Sequence, residues 1–177
     1  MSNDIPLIPQ LCNPKVDVSF WSIIYDCAKR YFPEEAVASY WKWVKYSPLL
    51  GNPKLPPHVD LNACTFTIDL QLDGNIDWEL YVEGTPYLMR NGDALLYMGS
   101  DQMHWRPKYP SENIKSYLEM CFIHFVEPGH WYHLKGPRHI NSDEVRLPWK
   151  EKMLGLLAQY KCDTFQPLGD EENFNGY

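Results

Sequence analysis

His58 and Asp60 stand one residue apart in the stretch PPHVDLNACTF, after two prolines and before a run that reads as a β-strand. An imidazole and a carboxylate two positions apart on an extended chain project to the same side, so both can grip one ion. Chance supplies His-x-Asp often, and the competing reading is a solvated turn. A third ligand separates the two. His104 is the candidate, placed 46 residues on, behind a buried strand and a small-residue turn in ALLYMGSDQMHWR. That separation lets the chain cross a small barrel several times and return to its mouth. Two imidazoles and one carboxylate on one face of an octahedral ion leave three positions open, which suits non-haem Fe(II) in an oxygenase. Zinc with the same three ligands and a water is the chemical competitor.

The surroundings add to this. The run from HVDLNACTFTIDL through DWELYVEGTPYLMRNGDALLYMGSDQMHWR resembles the core of the Fe(II)- and 2-oxoglutarate-dependent oxygenases, in a compact, prolyl-hydroxylase-like form. In that superfamily a His-x-Asp/Glu precedes short strands, a Gly-Asp turn, a further strand, a small-residue turn and the distal histidine. Here those elements are His58-Val59-Asp60, Gly92-Asp93, Ala94 to Tyr97, Gly99-Ser100 and His104. The resemblance covers residues 55–126, and HWR after the glycine turn is its most specific part.

The resemblance implies a mainly β fold with flanking helices, a double-stranded β-helix of the jelly-roll or cupin-like kind. It implies Fe(II) held by His58, Asp60 and His104, with 2-oxoglutarate and O2 as co-substrates. The reaction would hydroxylate a C–H bond of a peptidyl or small-molecule substrate and release succinate and CO2. It also implies a cation for the distal carboxylate of 2-oxoglutarate, and at the family's spacing beyond the distal histidine stands Lys115 on NIKSYLEM. Arg106 is its rival: two residues after His104 it shares that residue's face, and a guanidinium holds a carboxylate bidentately. Thr65, Thr67 and Asp69 alternate along the next strand, and Thr67 is the candidate to touch the co-substrate. Trp78, Tyr81, Trp105 and Tyr117 are candidates for a substrate pocket, with ordinary packing as the alternative. Two other classes stay open. One is a cupin-type metalloenzyme without 2-oxoglutarate, although two closely spaced histidines followed by Glu are absent. The other is a non-catalytic jelly-roll binding module with His58 and Asp60 in a turn.

These residues need elements to position them. VDVSFWSIIYDCAKRYF places Phe20, Ile23, Ile24 and Cys27 on one helical face. Pro33 then opens PEEAVASYWKWVKY, which reads as a second helix with acidic residues first and lysines last. PLLGNPKLPP is too rich in Pro and Gly for regular structure. From Ala63 to Val126 strands and turns alternate, ending in the long strand IKSYLEMCFIHFV. His124 on it reads as a hydrogen-bonded core histidine, while Asp69 and Asp73, flanking a hairpin turn, and Asp93, in the NGD turn, read as structural residues. A loop with His130, His133 and His139 leads to a helix, PWKEKMLGLLAQYK, and an acidic tail. The organisation is one domain over 1–177: N-terminal helices over 1–47, a β core over 55–126, and a C-terminal loop, helix and tail over 127–177.

Composition narrows the partners. A chain of 177 residues suits one domain with a full core. Sixteen Lys and Arg against 23 Asp and Glu give a net charge of −7, the wrong sign for holding a phosphate backbone. The cysteines number five and form no Cys-x-x-Cys pair, which favours reduced thiols in a cytosolic protein. No basic segment followed by a long apolar run opens the sequence, and no apolar run is long enough for a membrane helix. The expectation is a soluble, cytoplasmic protein.

Overall fold

The computed structural model describes residues 18–50, 53, 55–136, 139 and 142–159. Two four-stranded antiparallel sheets dominate it. In the first, β1 (Val37–Tyr46), β8 (Leu118–Val126), β3 (Phe66–Gly74) and β6 (Ala94–Tyr97) lie side by side in the order β1-β8-β3-β6. In the second, β2 (Leu55–His58), β7 (His104–Arg106), β4 (Leu80–Val82) and β5 (Thr85–Tyr87) follow the order β2-β7-β4-β5. Among the described residues, three α-helices flank them: α1 (Val18–Tyr31), the short α2 (Trp131–Lys135) and α3 (Asp143–Gln159). No helix among the described residues is long and apolar enough to cross a membrane.

The period of two along each strand sorts side chains into layers. Phe66, Ile68 and Leu70 of β3 and Cys121, Ile123 and Phe125 of β8 pack outward against Ile24 and Ala28 of α1. The opposite face of β3 carries Thr67, Asp69 and Gln71, all buried. Between the sheets, Leu80 and Val82 of β4 meet Leu118 and Met120 of β8, with Trp78 and Tyr97 beside them. On the far side of the second sheet, Val59, Met103 and Trp105 pack against Met153 of α3. Trp149 of α3 closes that layer, its Nε1 donating to Val59 O at 2.8 Å.

The expected second helix is a strand. VASYWKWVKY forms β1, not a helix, and pairs with β8 from Val37↔Val126 to Tyr46↔Leu118. Its β-branched and aromatic residues alternate: Trp41 reaches the outer layer while Tyr46 joins the inter-sheet cluster. Acidic residues and Pro33 had mimicked a helix start, but they lie in the turn that precedes the strand. The described part of the N-terminal region, residues 18–47, is therefore a helix and a strand, and the β structure begins before residue 55. Pro56 and Pro57 also sit in a strand, β2. They are tolerated because β2 is an edge, where missing N–H donors cost little, and the pairing is irregular between Leu55 and His58. The last strand starts at Leu118, later than expected, because residues 114 and 115 form a turn. Phe20, Ile23, Cys12, Cys162 and the acidic tail carry expectations that lie outside the described residues or side chains.

Candidate metal centre

Register brings the two histidines together. β2 pairs with β7 so that His58 stands opposite His104, with ring centroids 4.2 Å apart. Each ring is fixed by the same device: His58 Nδ1 donates to Pro56 O at 2.8 Å, and His104 Nδ1 donates to Gln102 O at 2.9 Å. Since a carbonyl only accepts, both Nδ1 atoms carry a proton, which leaves Nε2 as the nitrogen of each ring that can face a metal. Asp60 follows β2 and is tied down by its N–H, which donates to Gly99 O at 2.8 Å. Its Oδ1 lies 3.6 Å from His58 Nε2 and 3.6 Å from His104 Nε2.

These separations fit an ion better than a direct contact. At 3.6 Å a nitrogen and an oxygen are beyond good hydrogen-bond range. Ligand bonds of about 2.1 Å put neighbouring donors about 3.0 Å apart at right angles and about 3.4 Å apart in a tetrahedron. A small inward movement of three preset donors would therefore complete a site. Charge agrees with the geometry. Burial opposes ionisation of Asp60, but His104 and His58 outweigh it and hold its carboxyl well below the usual range. Burial likewise opposes a charge on His104, and Asp60 beside it more than compensates, raising its pKa.

Gly99 is part of the construction. A Cβ there would sit 2.5 Å from Asp60 Oδ2 and 2.8 Å from Cys64 O, and would collide with Thr67 Oγ1 as well. Thr67 is fully buried next to this point, but its hydroxyl is engaged, 3.0 Å from His124 Nδ1 and 3.4 Å from Cys64 O. His124 is the buried, hydrogen-bonded histidine expected from its strand, pushed down to about 4 by burial.

Deeper between the sheets lies Arg106, only 3 % exposed. Its Nη1 donates to Trp78 O, its Nη2 lies 3.8 Å from Met120 Sδ, and its guanidinium sits 5.1 Å from the centre of the Trp78 ring. Its Nε has no partner. Burial pulls its pKa down from the ordinary value. Asp69 enters the same space from β3 with Oδ1 unpartnered. Burial pushes its carboxyl up to about 7, against the pull of His104 and Arg106. Tyr97 of β6 donates its hydroxyl to Asp69 and packs edge-on against His104 at 4.9 Å.

His58, Asp60, His104, Arg106 and Thr67 thus converge, and Trp78 lines the same interior. Four expected residues do not. Lys115 is exposed in a turn, not on a strand, and its carbonyl accepts from Asn75 Nδ2 at 3.0 Å. Asn75 follows the Gly74 end of β3, whereas the donors cluster near Thr67, about 23 Å away along an extended strand. Tyr81 and Trp105 point out of the second sheet and stack on each other at 5.3 Å under α3, because they alternate with the inward Leu80, Val82, His104 and Arg106. Tyr117 lies at the surface, donating to Asp73 Oδ2 at 2.9 Å beneath Lys45. Asp73 stands near the end of β3 beside the turn, its Oδ1 accepting from Gly74 N, and Asp93 closes the NGD turn, its Oδ2 accepting from Arg90 N. Asp69 does not flank a turn: it lies in the middle of β3, buried on the inward face. The signal for it was present in FTIDLQL, where Thr, Asp and Gln occupy the face opposite Phe, Ile and Leu.

A cleft of about 460 Å³ lined by Gln71, Asn75, Asp77, Arg90 and Asn91 lies away from these donors. Its polar side chains are engaged within the chain: Gln71 Nε2 donates to Asn91 Oδ1, Arg90 Nη1 to Asp77 Oδ1, and Asn75 Nδ2 to Lys115 O. Compared with known proteins, the chain matches no family model, no curated protein and no solved structure.

Proposed function

We propose that the protein is an Fe(II)- and 2-oxoglutarate-dependent dioxygenase that hydroxylates a C–H bond of a peptidyl or small-molecule substrate. One observation carries the reading. The inward face of β7 presents His104 to Asp60 and His58, and its next inward residue, Arg106, is a buried guanidinium with an unpartnered Nε. Successive inward residues on a strand are about 6–7 Å apart, a span that suits a five-carbon dicarboxylate held at both ends. The strand orders β1-β8-β3-β6 and β2-β7-β4-β5 support a jelly-roll closure, the fold that the sequence resemblance implies.

His58, Asp60 and His104 would hold Fe(II) and leave neighbouring positions open. With the metal bound, 2-oxoglutarate and O2 supply an oxidative decarboxylation that gives succinate and CO2 and places one oxygen atom in the substrate C–H bond. The protein's part is positioning. Pro56 O and Gln102 O fix the ligand rings, and Gly99 fixes Asp60. Arg106 binds the distal carboxylate, and Asp69, whose own carboxyl is held protonated to about pH 7, does not neutralise that cation. Trp78 and Met120 keep water from the guanidinium. The acidic net charge favours a substrate other than nucleic acid, and the free cysteines among the described residues, Cys27, Cys64 and Cys121, favour a cytoplasmic setting.

Anaerobic titration of the metal-free protein with Fe(II) and 2-oxoglutarate tests this. A visible charge-transfer band that needs both additions, and is lost in His104→Ala, is the expected result. Fe(II) uptake with no response to 2-oxoglutarate would replace the proposal with a metalloenzyme that does not use it. No metal uptake would refute both.

A further inference from the structure

Asp60 has two oxygens, and the His58–His104 pair uses one. Oδ1 faces those rings, while Oδ2 lies beside Gly99 on the side of Thr67 and the Cys64 carbonyl. Beyond it stand two buried groups that the triad leaves idle, the Cys64 thiol and the His124 imidazole. One donor atom from each of Asp60, Cys64 and His124 lies within 4.8 Å of the other two. We propose that these three residues form a second metal site, joined to the first through a bridging Asp60 carboxylate and suited to a thiophilic divalent ion of the zinc or cobalt type.

The donor chemistry selects the ion. A thiolate, an imidazole and a carboxylate match zinc and its substitute cobalt, whereas calcium and magnesium take oxygen. The surrounding groups resemble an outer shell around such a site. Tyr40 Oη lies 3.2 Å from Cys64 Sγ and can donate to a thiolate there. Thr67 Oγ1, at 3.0 Å, orients the His124 ring, and the Tyr40 ring lies over that imidazole at 4.5 Å. Cys121 offers a contrast: equally buried, it sits among Ile68, Leu70 and Ile123 in the α1 layer, away from any such donor set. The lack of a side chain at Gly99 keeps the space between Asp60 Oδ2 and Thr67 clear. The inference shares Asp60 with the proposed iron site but requires neither 2-oxoglutarate nor oxygenase activity.

Titration of the full, reduced, metal-free chain with Co(II) under anaerobic conditions tests it. The expected result is uptake of two equivalents together with near-ultraviolet thiolate-to-cobalt charge-transfer absorption. His104→Ala should keep that absorption while losing one equivalent. Cys64→Ser should lose the absorption, keep one equivalent and still give the Fe(II)–2-oxoglutarate band. Absorption that survives in Cys64→Ser, or its absence from the unaltered chain, overturns the proposal. Should Cys64→Ser fail to fold, zinc-edge X-ray absorption of the unaltered chain decides. One sulfur scatterer at about 2.3 Å supports the site, and none refutes it. Loss of the 2-oxoglutarate band alone would sink the proposed function and leave this inference standing.

Discussion

Replacing Asp69 by Asn isolates the cost of a carboxyl placed between the sheets. Asp69 is 3 % exposed, and burial raises its pKa from 3.8 to about 7 despite the opposing pull of His104 and Arg106. Between those values the folded chain keeps a proton that the unfolded chain has released. Stability from this group is therefore complete below about pH 4 and is lost as pH rises through about 7. The gap from 3.8 to about 7, at about 1.4 kcal/mol per pH unit, amounts to about 4 kcal/mol once the carboxyl is ionised. Roughly 1.5 kcal/mol of that is already lost at about pH 5, so the advantage of Asp69→Asn should grow by about 3 kcal/mol between about pH 5 and about pH 8. Urea unfolding of both metal-free proteins across that range, followed by far-ultraviolet circular dichroism, reads the difference directly. A difference that stays flat with pH would refute the reasoning. It would mean that Asp69 is ionised in the folded chain and paired with Arg106, and the cation would then not be open to a ligand.

Gly99→Ala should destabilise the protein by about 1–3 kcal/mol, since the new methyl meets Asp60 Oδ2 at 2.5 Å and Cys64 O at 2.8 Å. Metal affinity, measured by competition with a chelator, should fall at least about tenfold as Asp60 is displaced. Arg106→Lys replaces a fork by a point charge and should weaken 2-oxoglutarate binding by about 10–100-fold in the charge-transfer titration. Lys115→Ala should leave that affinity within about twofold, because the residue is exposed beyond the other end of β3. Tyr81→Ala removes a stacked partner of Trp105 and should cost about 1–2 kcal/mol in chemical denaturation with no change in 2-oxoglutarate affinity.

The sequence made some of this legible because the relevant signals were local. His58 and Asp60 are readable as a pair since i and i+2 of an extended chain share a side, and Arg106 stands in the same relation to His104. The strands from Phe66 to Tyr97 announce themselves through alternation and through turns such as NGD. What stayed hidden depended on long-range pairing. Alternation alone turns Trp105 away from His104, but that the far side is closed by α3, with Tyr81 stacked beside it, follows only from the pairing Tyr81↔Trp105 and the docking of Met153. VASYWKWVKY satisfies a helix-end charge pattern and a strand alternation at once, and its partner β8, 74 residues further on at Lys45–Glu119, breaks the tie. Lys115 was placed by spacing alone, which assumed an uninterrupted strand. The hydrogen bond from its own N–H to Asn113 Oδ1 turns the chain before β8 begins.

The distribution of apolar residues ties stability to the site. A two-sheet protein gains most by filling the space between its sheets with hydrocarbon, and β8 does so at one end only, where its Leu118 and Met120 meet Leu80 and Val82. Toward the other end the inward positions are Asp69, Thr67 and His124, facing His104 and Arg106. Five buried polar or ionisable groups in one interior are costly unless something satisfies them, and Asp69 Oδ1 and Arg106 Nε remain unmatched within the chain. The compensation comes from outside the sandwich. Phe66, Ile68, Ile123 and Phe125 are spent on α1, and Val59, Met103 and Trp105 on α3. Each fully buried side chain of this kind contributes about 1.5–3 kcal/mol, so the two helical layers supply the stability that the polar interior withholds. Alternation along β3 enforces the arrangement: any residue that turns Asp69 and Thr67 inward must turn Phe66, Ile68 and Leu70 outward, and α1 is what makes that face tolerable. Removing α1 should therefore cost the site its geometry, because Ile24 and Ala28 cover the outward face of the strand that holds Thr67 and Asp69.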